Sequence, residues 1–367
     1  MNSRRAISWF LSFALLAAAP FARADKENTA ELNANLQKAA AASSPNTQGL
    51  KPWHMKISAQ LSDWKGTPTG SGTIEEWWMG PGNEKRVFAF PTYQGTEIRT
   101  ADGIWRSSGL GSEPMLIDMI VTQIVDPTAA QEKMTGSKPT ARTLQLGGVT
   151  LPCIMLARPN NRVADPPIGF YPSWCTEPGK NTIRVFVDDG GISVVRNAVD
   201  SFQGKDVPME LSITLNGTLL ASAHVDDVSL NGMPSAPFTA SSDMVKVNSS
   251  FTVLKGKKLE NQASHREEPD FTQVHAQPNP MTRATNGLPQ GDVEVRLWVG
   301  EDGQIRDLLL QSYPQADAAQ VTLDAVRRWV FNPYKVGGQA VPVTGTLDFE
   351  INSTDYDRQM RTSGSLP

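Results

Sequence analysis

Apolar and polar positions along this chain keep two rhythms, and the changes between them mark out the elements. From Leu50 the period is two: Trp53, Met55, Ile57, Ala59 and Leu61 alternate with His54, Lys56, Ser58, Gln60 and Ser62. Such alternation gives a strand one buried face and one wet face. Shorter runs follow at residues 73–79, 86–90, 96–100 and 104–107, then at 143–146, 149–157, 182–187, 192–197, 209–215 and 219–228. Turn residues cluster between them, and Asn216-Gly217 is a strong hairpin signal. The pattern predicts a meandering antiparallel sheet. Residues 28–42 instead carry Leu32 and Leu36 at helical spacing, and the apolar run 115–125, stopped by Asp126-Pro127, predicts an inserted helix.

Near the C-terminus the rhythm changes twice within sixty residues. Val293, Val295, Leu297 and Val299 alternate with Asp292, Glu294, Arg296 and Trp298, and Glu301-Asp302-Gly303 then supplies a tight turn. A second strand passes through Ile305, Leu308 and Leu310. Ala319, Leu323, Val326 and Val330 recur at helical spacing until Asn332-Pro333 stops them. After Gly337-Gly338, alternation resumes at Val341, Val343, Leu347, Phe349 and Ile351.

This strand–strand–helix–strand stretch, with DAVRRWVFNPY closing its helix and VGGQAVPVTGTLDFEI its return, resembles the C-terminal domain of the TonB family over about residues 278–352. The resemblance implies a periplasmic module that works by protein contact, reaching a partner by pairing an edge strand with a short segment of it. Pro342 agrees with an edge, because proline cannot donate to a ladder, and it serves either an edge open to a partner strand or one that blocks such pairing. It implies as the partner-binding strand Val341, Val343, Thr344, Thr346, Leu347 and Phe349. Residues 28–250, a helix, a long meander, an inserted helix and more meander, are similar to the LolA/LolB-like lipoprotein-carrier half-barrel. QGKDVPMELSITLNGTLLASAHVDDVSLN carries most of that likeness. It implies an apolar cavity able to take a lipid or acyl chain. The expected class is therefore α+β: an N-terminal curved antiparallel β half-barrel with helices, and a small C-terminal ββαβ domain.

Composition narrows the setting. Residues 1–24 read as a signal peptide: Arg4 and Arg5, an apolar run, and Ala22-Arg23-Ala24 before Asp25. An uncleaved inner-membrane anchor is the rival reading. Without residues 1–24 the chain has 31 basic against 38 acidic residues, a poor match to nucleic acid. Export puts Cys153 and Cys175, the whole cysteine complement, in an oxidising space, and they are expected to pair. The boundaries follow as signal 1–24, LolA-like domain 25–250, linker 251–285, TonB-like domain 286–353 and tail 354–367.

No enzyme signature emerges. His54, His224, His265 and His275 have no metal-ligand spacing. Glu75-Glu76, Asp188-Asp189 and Asp226-Asp227 are neighbours on strands or in turns, so each pair points two ways. Ser62-Asp63-Trp64-Lys65 fits S-x-x-K without its companion motifs. No catalytic residue, metal or cofactor is expected. Trp53, Trp77, Trp78 and Trp105 are either core rings or the lining of an apolar ligand cavity. The expected function is contact with another envelope protein through the C-terminal domain, linked to envelope transport. A lipid or lipoprotein carrier with a docking module is the alternative, and a secreted hydrolase the third reading. A homodimer through the edge strand is also open.

Overall fold

A computed structural model of the 367-residue chain describes residues 29–129, 136–158, 165–247, 251–271, 274 and 291–351. The expected signal peptide and tail lie outside the described residues. Helix α1 (Thr29–Ser43) leads into the meander β1 (Trp53–Ser62), β2 (Pro68–Gly80), β3 (Asn83–Ala89), β4 (Gln94–Thr100) and β5 (Gly103–Ser107). Helix α2 (Met115–Val125) follows. The second half of the meander is β6 (Lys138–Leu146), β7 (Val149–Ala157), β8 (Ser173–Thr176), β9 (Ile183–Val187), β10 (Ile192–Phe202), β11 (Lys205–Leu215) and β12 (Thr218–Ser229). With β13 (Met244–Val247) they form one thirteen-stranded sheet in the order β13-β5-β4-β3-β2-β1-β12-β11-β10-β9-β8-β7-β6. Its end strands β13 and β6 do not pair with each other, so the sheet is open rather than a closed barrel.

Hairpin chemistry sets the register. Asn216 and Gly217 both have positive φ, 50° and 82°, as a tight two-residue turn requires, and Leu215 then faces Thr218. One face of the sheet carries Trp53, Met55, Ile57, Ile74, Trp78 and Phe88, and its other strands add Val194, Ile213 and Ala221. Both long helices pack on this inner face. Leu36 and Ala39 of α1 join the same core as Ile117, Ile120, Val121 and Ile124 of α2. The run 115–125 is apolar nearly all round, as a helix buried within a core should be.

The stretch expected to be a linker is instead threaded through the fold where it is described. After β13 come β14 (Thr252–Val253), the one-turn helix α3 (Gly256–Glu260) and β15 (Ala263–His265). Each strand covers an edge: β13 pairs with β5, β14 with the last strand of the C-terminal sheet, and β15 with β18 (Val330–Phe331). Sequence patterning missed β15 because three residues are too short for a period, and β8 because prolines flank it.

The C-terminal module has β16 (Gly291–Val299), β17 (Ile305–Ser312), helix α4 (Ala316–Val326), β18, the small hairpin β19 (Lys335–Val336) and β20 (Gln339–Ala340), and β21 (Val343–Ile351). Its sheet runs β14-β21-β16-β17. The face carrying Val293, Val295, Leu297 and Val299 packs under α3, α4 and the loop at Phe271 and Val274.

Candidate functional site

Strand β21 is where the sequence places partner contact. It lies inside its sheet, antiparallel to β16 along its whole length. Its outer flank is not bare, which corrects the expectation of a free edge. Thr252 and Val253 pair in parallel with Val343 and Thr344. The Thr252 N–H donates to Pro342 O and the Leu254 N–H to Thr344 O, both at 2.8 Å. Helix α3 then closes over Thr346. From Leu347 to Ile351 no strand pairs with the outer flank among the described residues.

The side chains named for this strand mostly point inward. Val341, Val343 and Leu347 are buried, and Val343 and Leu347 belong to the core with Trp329 and Phe331. Phe349 packs edge-on to Trp329 at 5.9 Å. The Thr344 hydroxyl donates to Leu297 O at 2.7 Å, and the Thr346 hydroxyl to Gln311 Oε1 at 2.9 Å. The strand therefore offers its main chain, with the exposed Asp348 and Glu350 as the side chains within a partner's reach.

The other face of the same small sheet is attached to the large one. Trp298 and Leu309 are buried in the core of the first domain. Trp64, in the β1–β2 turn, stands edge-on to Tyr313 at 5.6 Å. Arg296 stacks over Trp298 at 5.0 Å and reaches Asp189 at 3.8 Å. The Ser112 hydroxyl donates to Glu301 at 2.7 Å. Helix α2 has no side-chain cap of its own, since Pro114 precedes it. The Met115 N–H donates instead to the Asp307 carboxylate, so the C-terminal module caps a helix of the first domain. Burial pushes the Asp307 carboxyl up to about 7, with the Met115 N–H pulling it back. Two clefts, about 770 and 620 Å³, flank this junction, and Leu110 and Arg306 line both.

The four tryptophans do not converge on one cavity, and two of them take the core-ring alternative. Trp53 and Trp78 are buried on the inner face, stacked at 6.0 Å under α1 and α2. Trp77 points the other way, as a strand neighbour must, and stacks on His54 at 4.6 Å with Lys85 above it. Trp105 pairs across the sheet with Ile98 and lies under Lys246. Register decided which ring went inside.

Beside the apolar core the inner face holds a ladder of buried charge. Glu76, Arg86, Glu97 and Arg106 stand opposite one another across β2, β3, β4 and β5. All four are under a tenth exposed. Arg86 lies 3.2 Å from Glu76 and 4.0 Å from Glu97, and Arg106 lies 2.7 Å from Glu97. Burial lifts the Glu97 carboxyl, but Arg99, Arg106 and Arg86 outweigh it and hold the group at about 2. Glu113, just before α2, has no such partner in contact. Burial, with Asp118 and Glu97 nearby, pushes it up to about 8. A charged residue at alternate strand positions looks solvent-facing in sequence, so none of this ladder was legible there. Cys153 and Cys175 face each other on β7 and β8 and form the expected disulfide, on the sheet face away from the helices.

Among the described residues no group of three or more His, Cys, Asp or Glu is placed to hold a metal ion, and no helix is long and apolar enough to cross a membrane. The family model for the Gram-negative bacterial TonB protein C-terminal matches residues 282–351. No curated protein matches the chain. Among solved structures, the chain is similar to a LolA superfamily protein from Nitrosomonas europaea, at 13% identity and TM-score 0.37, over 55% of this chain and 94% of that one. It is likewise similar to a DUF1329 family protein from Desulfovibrio piger, at 9% identity and TM-score 0.34, over 55% and 95%. Likeness at that level bears on neither ligand nor partner.

Proposed function

We propose that this chain is a non-enzymatic protein of the Gram-negative periplasm that acts by binding another envelope protein through its C-terminal module. The observation that carries the reading is the TonB C-terminal match over residues 282–351, joined to a β21 whose distal flank, Leu347–Ile351, keeps main-chain groups free of strand partners among the described residues. Main-chain pairing along such a flank would supply affinity, with Asp348 and Glu350 setting specificity. The Cys153–Cys175 bond suits an oxidising compartment. Attachment of the module through Trp298, Leu309 and Asp307 means that a partner engages both domains as one body. A role in envelope transport would follow from the partner's own.

A photo-crosslinking residue at Asp348 or Glu350 of the exported full-length chain tests the reading. The expected result is an adduct with a distinct envelope protein that the same probe at Lys180, on the first domain, does not form. Equal adducts from both places, or none from β21, would remove the basis for docking there. The carrier alternative requires α2 to leave the inner face, because Ile117, Ile120 and Ile124 fill the space an acyl chain would need. Solvent extraction of the purified protein followed by mass spectrometry would reveal such a ligand.

A further inference from the structure

Part of the junction between the two domains is hollow. The cleft of about 620 Å³ opens where the β1–β2 end, the β3–β4 turn and the loop before α2 meet the start of β17. That volume is within the range of small-ligand sites, which form preferentially at domain junctions. Ser62, Thr69, Thr92, Gln94 and Ser108 line it from the first domain, and none of their side chains has a hydrogen-bond partner among the described residues. Local structure presents them. Phe90 and Tyr93 close the β3–β4 turn with main-chain hydrogen bonds of 3.1 and 3.3 Å, which leaves Thr92 at its tip and Gln94 opening β4. The Tyr93 hydroxyl ties that turn to Gly111 O at 3.4 Å, and the Leu110 N–H on Ser107 O at 2.9 Å turns the chain at Ser108. The C-terminal module supplies Ile305, Arg306 and Asp307. Arg306 is the one cation in the lining among the described residues, and Asp302 already holds it at 2.7 Å. Asp307 spends Oδ2 on the Met115 N–H, and its Oδ1 has no partner among the described residues. Leu61 and Leu110, with Ile305, add a small apolar wall.

We infer that this cleft binds a neutral saccharide, held by both domains at once. A hydroxyl is one donor and two acceptor lone pairs, so free hydroxyls with one amide match a ligand that is itself an array of hydroxyls. An apolar ligand would cut those groups off from water without replacing their hydrogen bonds. An anion would need a cation not already paired, and Arg306 is paired. The apolar wall takes the C–H face of a sugar ring. A free sugar and the sugar units of an envelope polysaccharide offer the same chemistry. The inference stands apart from partner contact at β21, none of whose residues line the cleft. Because the lining comes from both domains, a bound sugar also strengthens their docking.

The test uses the full chain with glucose, galactose, N-acetylglucosamine, maltose and maltoheptaose as probes, read by saturation-transfer NMR and calorimetry. At least one of them is expected to bind with a Kd below about 5 mM, the modest affinity of neutral hydrogen bonds exchanged for water. Thr92→Val with Gln94→Leu alters two exposed residues that have no side-chain partner. That double change should weaken binding about tenfold, with near-ultraviolet circular dichroism unchanged. Ser108→Ala, milder still, should weaken it about threefold. A saturating sugar should raise the urea midpoint of the unaltered chain more than that of the double variant, which separates binding from the stabilisation that excluded sugars give any fold. Affinity that climbs from maltose to maltoheptaose would identify a polysaccharide as the source, and affinity already complete in a monosaccharide a free sugar; either result supports the inference. Failure of every probe to bind, or binding that the cleft variants leave unchanged, would overturn it. Inorganic phosphate or a glucose phosphate binding more tightly than glucose would overturn it as well, by making the cleft an anion site.

Discussion

Replacing Arg86 with leucine should be among the most damaging single changes in the first domain. Arg86 is 6% exposed and stands between Glu76 and Glu97, both fully buried, with Glu84 at 3.5 Å. Its removal leaves Glu76 without a basic partner in contact, whereas Glu97 keeps Arg99 at 2.9 Å and Arg106 at 2.7 Å. Breaking a buried pair from one side costs about 3–5 kcal/mol, because the remaining charge must stay unpaired, take up a proton or drag in water. For a domain of this size that is a fall in Tm of about 10 °C. The double change Glu76→Leu with Arg86→Leu removes both members and should recover about 2 kcal/mol or more of that loss. Urea titrations followed by fluorescence of the buried Trp53 and Trp78 would give both numbers. A single change costing under about 1 kcal/mol, or a double mutant whose losses simply add, would show that the ladder is not the coupled unit its geometry describes.

Other consequences can be measured alongside. Asp307 is raised from 3.8 to about 7 in the folded chain, so the fold holds a proton that the unfolded chain has released. The stability this group contributes is full below about pH 4 and is lost as pH rises to about 7. Asp307→Asn keeps an acceptor for the Met115 N–H without the charge, and should match the unaltered chain at about pH 3.5 while exceeding it in urea midpoint at pH 8. Glu113, raised to about 8, should add a similar slope that Glu113→Gln removes. Arg196 is 1% exposed and burial pulls it down to about 9, with Nε and Nη1 lacking partners among the described residues. Arg196→Met should therefore be neutral or raise the urea midpoint rather than lower it. Converting Cys153 and Cys175 both to alanine opens a loop of 22 residues in sequence separation and should cost about 3 kcal/mol, read as a lower midpoint with an unchanged native spectrum.

Much of the architecture was written locally. The alternation through Trp53–Leu61 gives β1, the apolar run gives α2 over Met115–Val125, and Asn216-Gly217 and Asp302-Gly303 give their hairpins. The C-terminal strand–strand–helix–strand order was legible for the same reason: period and turn chemistry act over a few residues. Two cysteines leave one intramolecular pairing, so the disulfide needed only an oxidising compartment.

What the tertiary structure decided is everything that depends on which distant residues meet. A two-residue period says that Trp77 and Trp78 point opposite ways but not which ring is buried; pairing with Trp53 chose Trp78. Glu76, Arg86, Glu97 and Arg106 read singly as surface charges, and strand register alone brings them together under the core. Asp307 looks like any polar residue of a strand until α2, nearly two hundred residues earlier, presents an uncapped N-terminus to it. The flank of β21 seemed free because the weak strand pattern at Phe251–Leu254 does not say which strand it pairs with. Its pairing comes from the close approach that Gly345 permits and the socket that receives Leu254. Local pattern sets period and turns, whereas register and closure are settled by the one packing in which buried polar groups find partners and apolar side chains leave water.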